Sequence, residues 1–278
     1  MHPSDKHSMA DPEELLARLA ADLVEILGSG LVSLTPHGSW ALGDFSPSRS
    51  DLDVLAVMAT DPTAATVAAL HEVHARLATD VPEWDGRVEV EYVSVEAIAA
   101  VVQGTGESHR MISVGGGEPF HVVEASRRYV LNWAAALQAD RPVVGAAPSA
   151  VLPAIDRRLV HQVVLEHVRA YRVWLDDTQH PRPGDQAYTV LTLCRAAEAL
   201  ATGSQLSKMR AAQVGKSRFP EWSALIDWAR EWWYDSGSDL DPGRVEEVRG
   251  FVDDVSARLL QHHDIVPNTS RDAPEPTL

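Results

Sequence analysis

Asp51 and Asp53 are the residues whose type and spacing most directly indicate chemistry. Alternate residues of a β-strand point to the same face, so these two carboxylates would lie about 7 Å apart at their Cα atoms. The run that follows, with Val54, Leu55 and Val57, is apolar and predicts a buried strand. Two carboxylates at the mouth of a buried strand repel each other and lose hydration, which a divalent cation relieves. Mg²⁺ prefers such hard oxygens and completes its shell with phosphate oxygens and water, so the pair predicts a metal site for a phosphate-bearing substrate.

A later strand supplies further acids. The segment "RVEVEYVSV" alternates strictly, which predicts a strand with Val88, Val90 and Tyr92 on one face and Glu89 and Glu91 on the other. A third carboxylate from this strand could complete the metal site or accept the proton of an attacking hydroxyl. The alternation leaves both Glu89 and Glu91 open for that role.

A Gly-Ser pair precedes the two aspartates and suggests a phosphate-binding turn. Gly38 would allow the backbone to approach a ligand closely, and Ser39 offers a hydroxyl and an amide near the start of a short helix. A metal site, a phosphate cradle and a carboxylate base together favour nucleotidyl transfer. In that reaction the metal ion neutralises the triphosphate, and the base takes a proton from the attacking hydroxyl.

Hydrophobic periodicity assigns the elements that must position these residues. A helix capped by Asp11 begins the ordered chain, and another helix is predicted with Asp61 as its cap. The predicted strands are the segments "LVSLTP", "DLDVLAVMA" and "RVEVEYVSV". The order helix, strand, strand, helix, strand is typical of a small α/β domain with a mixed sheet.

The pattern changes in the glycine-rich segment 104–119. Its five glycines predict a loop or a hairpin. A flexible loop is favoured over a phosphate-binding loop, because no helix start with a Lys-Ser or Lys-Thr pair follows. From Val122 onward the periodicity is helical, starting with a predicted helix at "EASRRYVLNWAAALQA". The remaining segments predict a helical bundle that ends before a polar, proline-rich tail.

Composition limits the class of protein and of partner. The 278 residues carry a formal net charge of −16, which argues against nucleic acid or membrane surfaces as partners and favours a cationic small molecule. The single cysteine, Cys194, excludes a disulfide within the chain and a cysteine zinc site, and its apolar surroundings predict a buried thiol. No signal peptide or spanning segment is evident, so we expect a cytoplasmic protein, acting as a monomer.

Two groups of motifs resemble known families. The Gly-Ser pair, the Asp-x-Asp strand and the later acid resemble the nucleotidyltransferase superfamily with the polymerase-beta-type fold. The segment "GDQAYTVLTLCRAAEALATGSQLSKMRAA" resembles the helical domain of the aminoglycoside 3''(9)-adenylyltransferases, the streptomycin and spectinomycin resistance enzymes. The resemblance implies an α+β protein: a nucleotidyltransferase domain with a mixed sheet at 11–145, a helical domain at 146–264, and flexible tails at 1–10 and 265–278.

The resemblance also implies roles for individual residues. Asp51 and Asp53 match the metal ligands, and Glu89 matches the family's third acid, which serves as ligand and catalytic base, with Glu91 as the alternative base. The positions that match ATP contacts are Gly38, Ser39, Ser50, Arg195 and Lys208, and those that match the side of the antibiotic are Asp185 and Trp174.

The function implied is Mg²⁺-dependent transfer of AMP from ATP to a hydroxyl of an aminoglycoside or aminocyclitol antibiotic, which confers resistance. The family carries a tryptophan-bearing segment after the third acid, where this chain has "ESHRMISVGGGEPF", so spectinomycin is favoured over streptomycin. Two alternatives remain: a nucleotidyltransferase with a protein or another small molecule as acceptor, as in toxin–antitoxin systems, and an inactive nucleotide-binding regulator. The presence of all three acids argues against the second.

Overall fold

A computed structural model describes residues 11–47, 49–115, 118–178 and 181–264. The chain divides into two compact units. The first runs to Val163 and also includes Gly203–Met209, and the second consists of Val164–Thr202 and the chain from Arg210 onward. The first unit thus extends past the domain limit that we predict at residue 145, and it regains a short segment from the helical half.

The first unit is built on a six-stranded mixed sheet. Its elements, in chain order, are α1 (Pro12–Leu27), β1 (Leu31–Pro36), α2 (Gly38–Ala41), β2 (Leu52–Met58), α3 (Ala64–Asp80), β3 (Val88–Ser94), α4 (Val95–Gln103), β4 (Arg110–Gly115), β5 (Glu118–Glu124), α5 (Val130–Ala139), β6 (Val144–Gly145) and α6 (Pro148–Val151). The strand order is β5-β4-β3-β2-β1-β6, in which β2 and β3 are parallel and the other neighbours are antiparallel. The α+β class with a mixed sheet is therefore confirmed.

The period of two along β2 decides what each face of the sheet contacts. Leu52, Val54 and Ala56 belong to the core that also contains the buried side of α1 and α3. Leu55 and Val57 point the other way, into the core that contains α5. Asp51 and Asp53 have the same parity as Leu55, so the acids lie on the face that α5 covers.

Helix α3 begins later than the sequence predicts. Its cap is Thr63, whose hydroxyl accepts the N–H of Thr66 at 3.1 Å, so the prediction of Asp61 as the cap was wrong. The Asp61 carboxylate instead accepts hydrogen bonds from the Ser94 hydroxyl, from His109 Nδ1 and from the backbone N–H of Arg110. Partners that are distant in sequence therefore occupy the side chain that local capping would have used.

The glycine-rich segment contributes to a hairpin, the second of the two predicted alternatives, and is not the flexible loop that we favoured. Residues 110–115 and 118–124 form the hairpin β4–β5, and β4 pairs with β3 through the register Glu91↔Ser113. Met111 and Ile112 are fully buried, which provides the apolar contact that holds the hairpin on the sheet. The helix predicted from Glu124 likewise starts only at Val130, because Val122–Glu124 are still in β5.

The second unit is helical, as predicted. Helix α7 (Arg157–Asp177) begins in the first unit and continues here, followed by α8 (Pro183–Thr202), α9 (Lys208–Arg218), α10 (Ser223–Tyr234) and α11 (Val245–Asp264). Cys194 on α8 is 1% exposed, as expected, and a Cβ at Gly215 on α9 would lie 2.5 Å from its Sγ, so the two helices approach closely only with glycine there. Within the described ranges, none of the helices has the length and apolar character needed to cross a membrane.

Candidate active site

The two parallel strands bring the predicted acids side by side. Asp53 on β2 lies directly opposite Glu89 on β3 in the register of the pair. Asp51 immediately precedes β2, and its side chain is 42% exposed. The adjacency arises because both strands bury their odd-numbered apolar residues on the same face and so direct their odd-numbered acids there as well.

Gly38 is required by the close approach of α2 to Asp53. Its φ is +62°, and a Cβ built on it would lie 1.9 Å from Asp53 Oδ2. The preceding residue, His37, is also bound to this strand, since its backbone N–H donates to the Asp53 carbonyl at 2.9 Å. Ser39 follows on the same four-residue helix, and its carbonyl accepts the N–H of Asp44 at 2.9 Å. The predicted Gly-Ser turn therefore lies against the acids.

The acids raise one another's pKa. Burial, followed by the negative charge of Asp53, raises the pKa of Asp51 to about 6. Burial and then the charges of Asp53 and Asp51 raise the pKa of Glu89 to about 8. The positive charge of Lys208 lowers the pKa of both Asp51 and Glu89. Lys208 belongs to the segment Gly203–Met209 of the first unit, where Met209 N–H donates to Asp44 at 3.2 Å. The site thus favours added positive charge.

The donor set fits Mg²⁺ bound together with a phosphate group. Among the residues that the structure describes, no three His, Cys, Asp or Glu side chains converge into a ready metal site. Mg²⁺ commonly takes only one or two carboxylates from a protein and obtains its other ligands from substrate phosphates and water. Asp51 and Asp53 are such a pair of hard oxygen donors, and burial together with the charge of Asp53 raises the pKa of Asp51 in spite of Arg87 and Lys208.

Glu89 and Glu91 have different surroundings, although both line one cavity of about 200 Å³ with Asp53. Glu91 is 7% exposed, and its carboxylate accepts hydrogen bonds from Asn132 Nδ2 at 2.6 Å and from Trp133 Nε1 at 3.0 Å. Glu89 instead faces Asp53. A Cβ at Gly115 would lie 2.5 Å from Glu89 Cγ, so the neighbouring strand leaves room for this side chain only with glycine. The geometry favours Glu89 as the acid that works with the aspartates.

Arg87 holds the loop that carries Ser50 and Asp51, a role that sequence reasoning missed. Its guanidinium donates to the carbonyl oxygens of Pro47 and Ser50, lies 3.9 Å from Asp51 through Nε, and stacks 4.8 Å above the ring of Trp84. Ser50 is buried, and its hydroxyl accepts a backbone N–H from within the same loop. The only signal in the sequence was the position of Arg87, next to the strand that carries the third acid.

The second unit contains a separate cavity of about 420 Å³. It brings together the two predicted substrate residues, Trp174 and Asp185, and adds Tyr171 and Tyr188, which sequence reasoning missed. Asp185 is paired with Arg182, whose Nε lies 3.0 Å from Oδ2. Tyr188 follows Asp185 by one helical turn, a spacing that could have indicated it. The remaining residues of the lining are His167, Ala170 and Thr189.

Arg195 lies on α8 but is not part of that lining. Its charge acts on Tyr171, whose pKa is raised mainly by burial and is lowered in part by the guanidinium. The structure therefore assigns the predicted ATP residues to different units: Arg195 to the second, and Gly38, Ser39, Ser50 and Lys208 to the first.

Comparisons with known proteins agree with this architecture. Residues 150–258 match the family model described as the C-terminal domain of aminoglycoside adenylyltransferase. The structure of spectinomycin adenyltransferase AAD(9) from Enterococcus faecialis, solved with ATP and spectinomycin, aligns with a TM-score of 0.69 and 16% identity, over 90% of this chain and 100% of that one. No curated protein matches the sequence. The structural likeness confirms the predicted fold, and residues 150–258 are similar to the C-terminal domain of the aminoglycoside adenylyltransferases.

Proposed function

We propose that this protein transfers AMP from Mg-ATP to a hydroxyl of an aminoglycoside or aminocyclitol antibiotic, with spectinomycin as a better acceptor than streptomycin. The observation that carries the proposal is the pairing of Asp53 with Glu89 across β2 and β3, with Asp51 and Lys208 beside them. Two hard-oxygen ligands, a further carboxylate and a cation in one place are the groups that nucleotidyl transfer needs.

Glu89 is the proposed base. Its carboxylate accepts the proton of the acceptor hydroxyl, the hydroxyl oxygen forms a bond to the α-phosphorus of ATP, and the bond from that phosphorus to the bridging oxygen breaks. Pyrophosphate leaves with the electron pair of the broken bond. A carboxyl whose pKa lies near 8 before positive charge is bound holds the accepted proton well at neutral pH. Bound positive charge lowers that pKa and returns Glu89 to its ionised form.

The phosphate side of the site consists of first-unit residues. Asp51 and Asp53 would hold Mg²⁺, which, when bound, neutralises charge on the phosphates as pyrophosphate leaves. Lys208, whose charge acts on Asp51 and Glu89, would supply a second positive charge for the phosphates of bound ATP. Ser39 and Ser50 supply hydroxyls on the turn and loop that border the acids. Arg195 in the second unit is the remaining proposed ATP contact.

The proposed acceptor contacts of the second unit suit a cation. The carboxylate of Asp185 can pair with an ammonium group, and the faces of Trp174, Tyr171 and Tyr188 attract positive charge through their π-electrons. The net charge of −16 favours the approach of a cationic antibiotic and disfavours nucleic acid. We also propose that the enzyme acts as a monomer in the cytoplasm, where ATP is available.

The test is a panel of spectinomycin, streptomycin and other aminoglycosides with ATP and MgCl₂, followed by pyrophosphate release. We expect pyrophosphate release with spectinomycin, a smaller rate with streptomycin, and none without Mg²⁺. Mass spectrometry of the product should show one added AMP. A panel without pyrophosphate release, alongside a labelled protein band when lysate and labelled ATP are supplied, would contradict the proposal and favour a protein acceptor.

A further inference from the structure

Glu91 is a buried carboxylate on the face of the sheet that packs against α5. In the sheet register it pairs with Leu55 on β2 and with Ser113 on β4, all on the face that α5 covers. Leu55, one strand away, is fully buried in the apolar core that contains α5. An apolar side chain at 91 would pack there without a desolvation cost, whereas a carboxylate needs compensation. Packing alone therefore does not explain a carboxylate at position 91.

The compensation that Glu91 has is neutral and directional. Asn132 Nδ2 donates to one carboxylate oxygen at 2.6 Å, and Trp133 Nε1 donates to the other at 3.0 Å. Each oxygen of a carboxylate can accept a second hydrogen bond, so both retain accepting capacity. Arg128, which lines the same cavity, is an exposed cation whose charge acts on Glu91 more weakly than these two bonds do. The side chain is thus fixed in orientation and still able to bind a donor.

The position of Glu91 relates it to the reacting hydroxyl of the acceptor. Glu89 and Glu91 are two residues apart on one strand face, which separates their Cα atoms by about 7 Å. Both line the cavity of about 200 Å³ together with Asp53 and Ser113. A hydroxyl and an amine on adjacent ring carbons, each extended by a hydrogen bond of about 3 Å, span a distance on the order of that spacing, so a single ring can contact both carboxylates.

We propose that Glu91 is a specificity-determining residue that binds the ammonium group next to the acceptor hydroxyl. This inference rests on the proposed function and deepens it, because it assigns to Glu91 the recognition of the basic amine beside the hydroxyl that receives AMP. It also separates the roles of the two glutamates, because Glu89 takes the proton and Glu91 binds charge. An acceptor without that amine would leave Glu91 with the hydrogen bonds from Asn132 and Trp133 and the weaker charge of Arg128.

The experiment measures binding and turnover separately, in the presence of Mg²⁺ and a non-hydrolysable ATP analogue for binding. The probes are spectinomycin, which carries basic methylamino groups, and its N-acetylated derivative, which is neutral. By calorimetry, we expect the wild-type protein to bind spectinomycin at least about 30-fold more tightly than the neutral form. In Glu91→Gln the preference should fall by about tenfold, because only the share of Asp185 remains, and Glu91→Asp, which keeps the charge, should retain most of it. Glu91→Thr is the second neutral variant in case Glu91→Gln does not fold.

The matched control is Trp133→Phe, which removes one hydrogen bond to Glu91 and leaves its charge. This variant should keep the preference for the charged acceptor, because the proposal attributes the preference to the charge of Glu91. The hydrogen bond between α5 and Glu91 does not determine it. The proposal is overturned if Glu91→Gln and Glu91→Thr keep the preference, if they weaken both ligands equally, or if the wild-type protein binds neither. Failure of the proposed function would look different: selective binding of spectinomycin without pyrophosphate release from ATP.

Discussion

The two cavities of this protein differ in how they handle charge. The cavity of the first unit is small, about 200 Å³, and is lined by three carboxylates held on two adjacent strands. The cavity of the second unit is larger, about 420 Å³, and has one carboxylate, paired with an arginine, among aromatic rings. The first keeps a concentrated negative charge that requires a cation, while the second offers diffuse attraction suited to a positively charged organic molecule. Under the proposed function, chemistry and recognition would therefore use different physical means in the two units.

Asp53→Asn should produce the largest effect, because it weakens the concentrated charge of the first cavity. The variant keeps the size and most of the hydrogen-bonding capacity of the side chain but removes a proposed metal ligand. We expect pyrophosphate release to fall by at least about 1,000-fold, with the melting temperature unchanged or raised by the relief of repulsion. The matched control is Asp85→Asn, an exposed acid of the same unit, which should keep normal turnover. Normal turnover in Asp53→Asn would remove the metal assignment.

Glu89→Gln comes next and is expected to lower kcat about 100- to 1,000-fold, since a base of this kind contributes that order of rate. In the wild-type enzyme, kcat/KM should fall as the pH drops below the pKa of the free Glu89 carboxyl, about 8 in the absence of ligands and lower with bound Mg²⁺. The variant should lose this dependence. If Glu91→Gln abolishes the pH dependence and Glu89→Gln does not, the roles of the two glutamates are the reverse of those proposed.

Glu89→Gln also tests, without any substrate, whether burial raises the pKa of the Glu89 carboxyl. The folded-state pKa of Glu89 is raised above its usual value of 4.5, so the folded protein binds more protons than the unfolded chain between about pH 4.5 and pH 8. Wild-type stability should therefore decline across that range as pH rises, and Glu89→Gln should decline less, with a difference on the order of 1–3 kcal/mol at pH 8. Denaturant unfolding at pH 4.5 and pH 8 measures this, and parallel curves for the two proteins would contradict the raised pKa.

Asp185→Asn and Trp174→Leu should have smaller and more selective effects, because they act on the second cavity. Each is expected to raise the KM for spectinomycin about 5- to 50-fold while leaving the KM for ATP within about twofold. Initial rates at varied concentrations of each substrate separate the two constants. Val173→Leu, at an exposed position beside Trp174, is the matched control. A rise in the KM for ATP alone would assign this cavity to the nucleotide instead.

Arg87→Met should give the smallest effect on catalysis, since Arg87 supports the loop and contacts the acids only at 3.9 Å. We expect a decrease in kcat/KM of about 3- to 10-fold, accompanied by a higher Mg²⁺ concentration for half-maximal activity, because Asp51 is less well held. Arg87→Lys should recover part of the Mg²⁺ dependence but not the two carbonyl contacts, since a lysine lacks the guanidinium geometry. An unchanged Mg²⁺ requirement would limit Arg87 to a structural role.

The period of two explains why the acids could be predicted from the sequence. Asp53 and Glu89 each belong to an alternating or apolar run, and the face of a strand residue follows from its parity alone. For the glycine-rich segment the sequence allowed a loop or a hairpin, and the flexible loop that we favoured was wrong. Its glycines suggested a loop, but pairing with β3 and burial of Met111 and Ile112 provide stability that local composition does not record.

Contacts between distant parts of the chain set the remaining limits. The hydrogen bonds that Asn132 and Trp133 donate to Glu91 join residues that are 41 and 42 positions apart, and no local pattern announces them. The capping of α3 failed as a prediction because Asp61 has partners 33 to 49 positions away. Trp174 and Asp185 were predicted only through the family resemblance, which carries spatial information that spacing alone lacks.

The return of Gly203–Met209 to the first unit has a consequence for how the chain can be divided. A gene fragment that stops at Val163 would encode the whole sheet and all four acids but not Lys208. The two parts of the chain are therefore not interchangeable modules. In a chimaera joined at Val163, the residue at position 208 would come from the protein that supplies the helical part. Recombination between related chains would have to keep the acids and the lysine matched across two separate stretches of sequence.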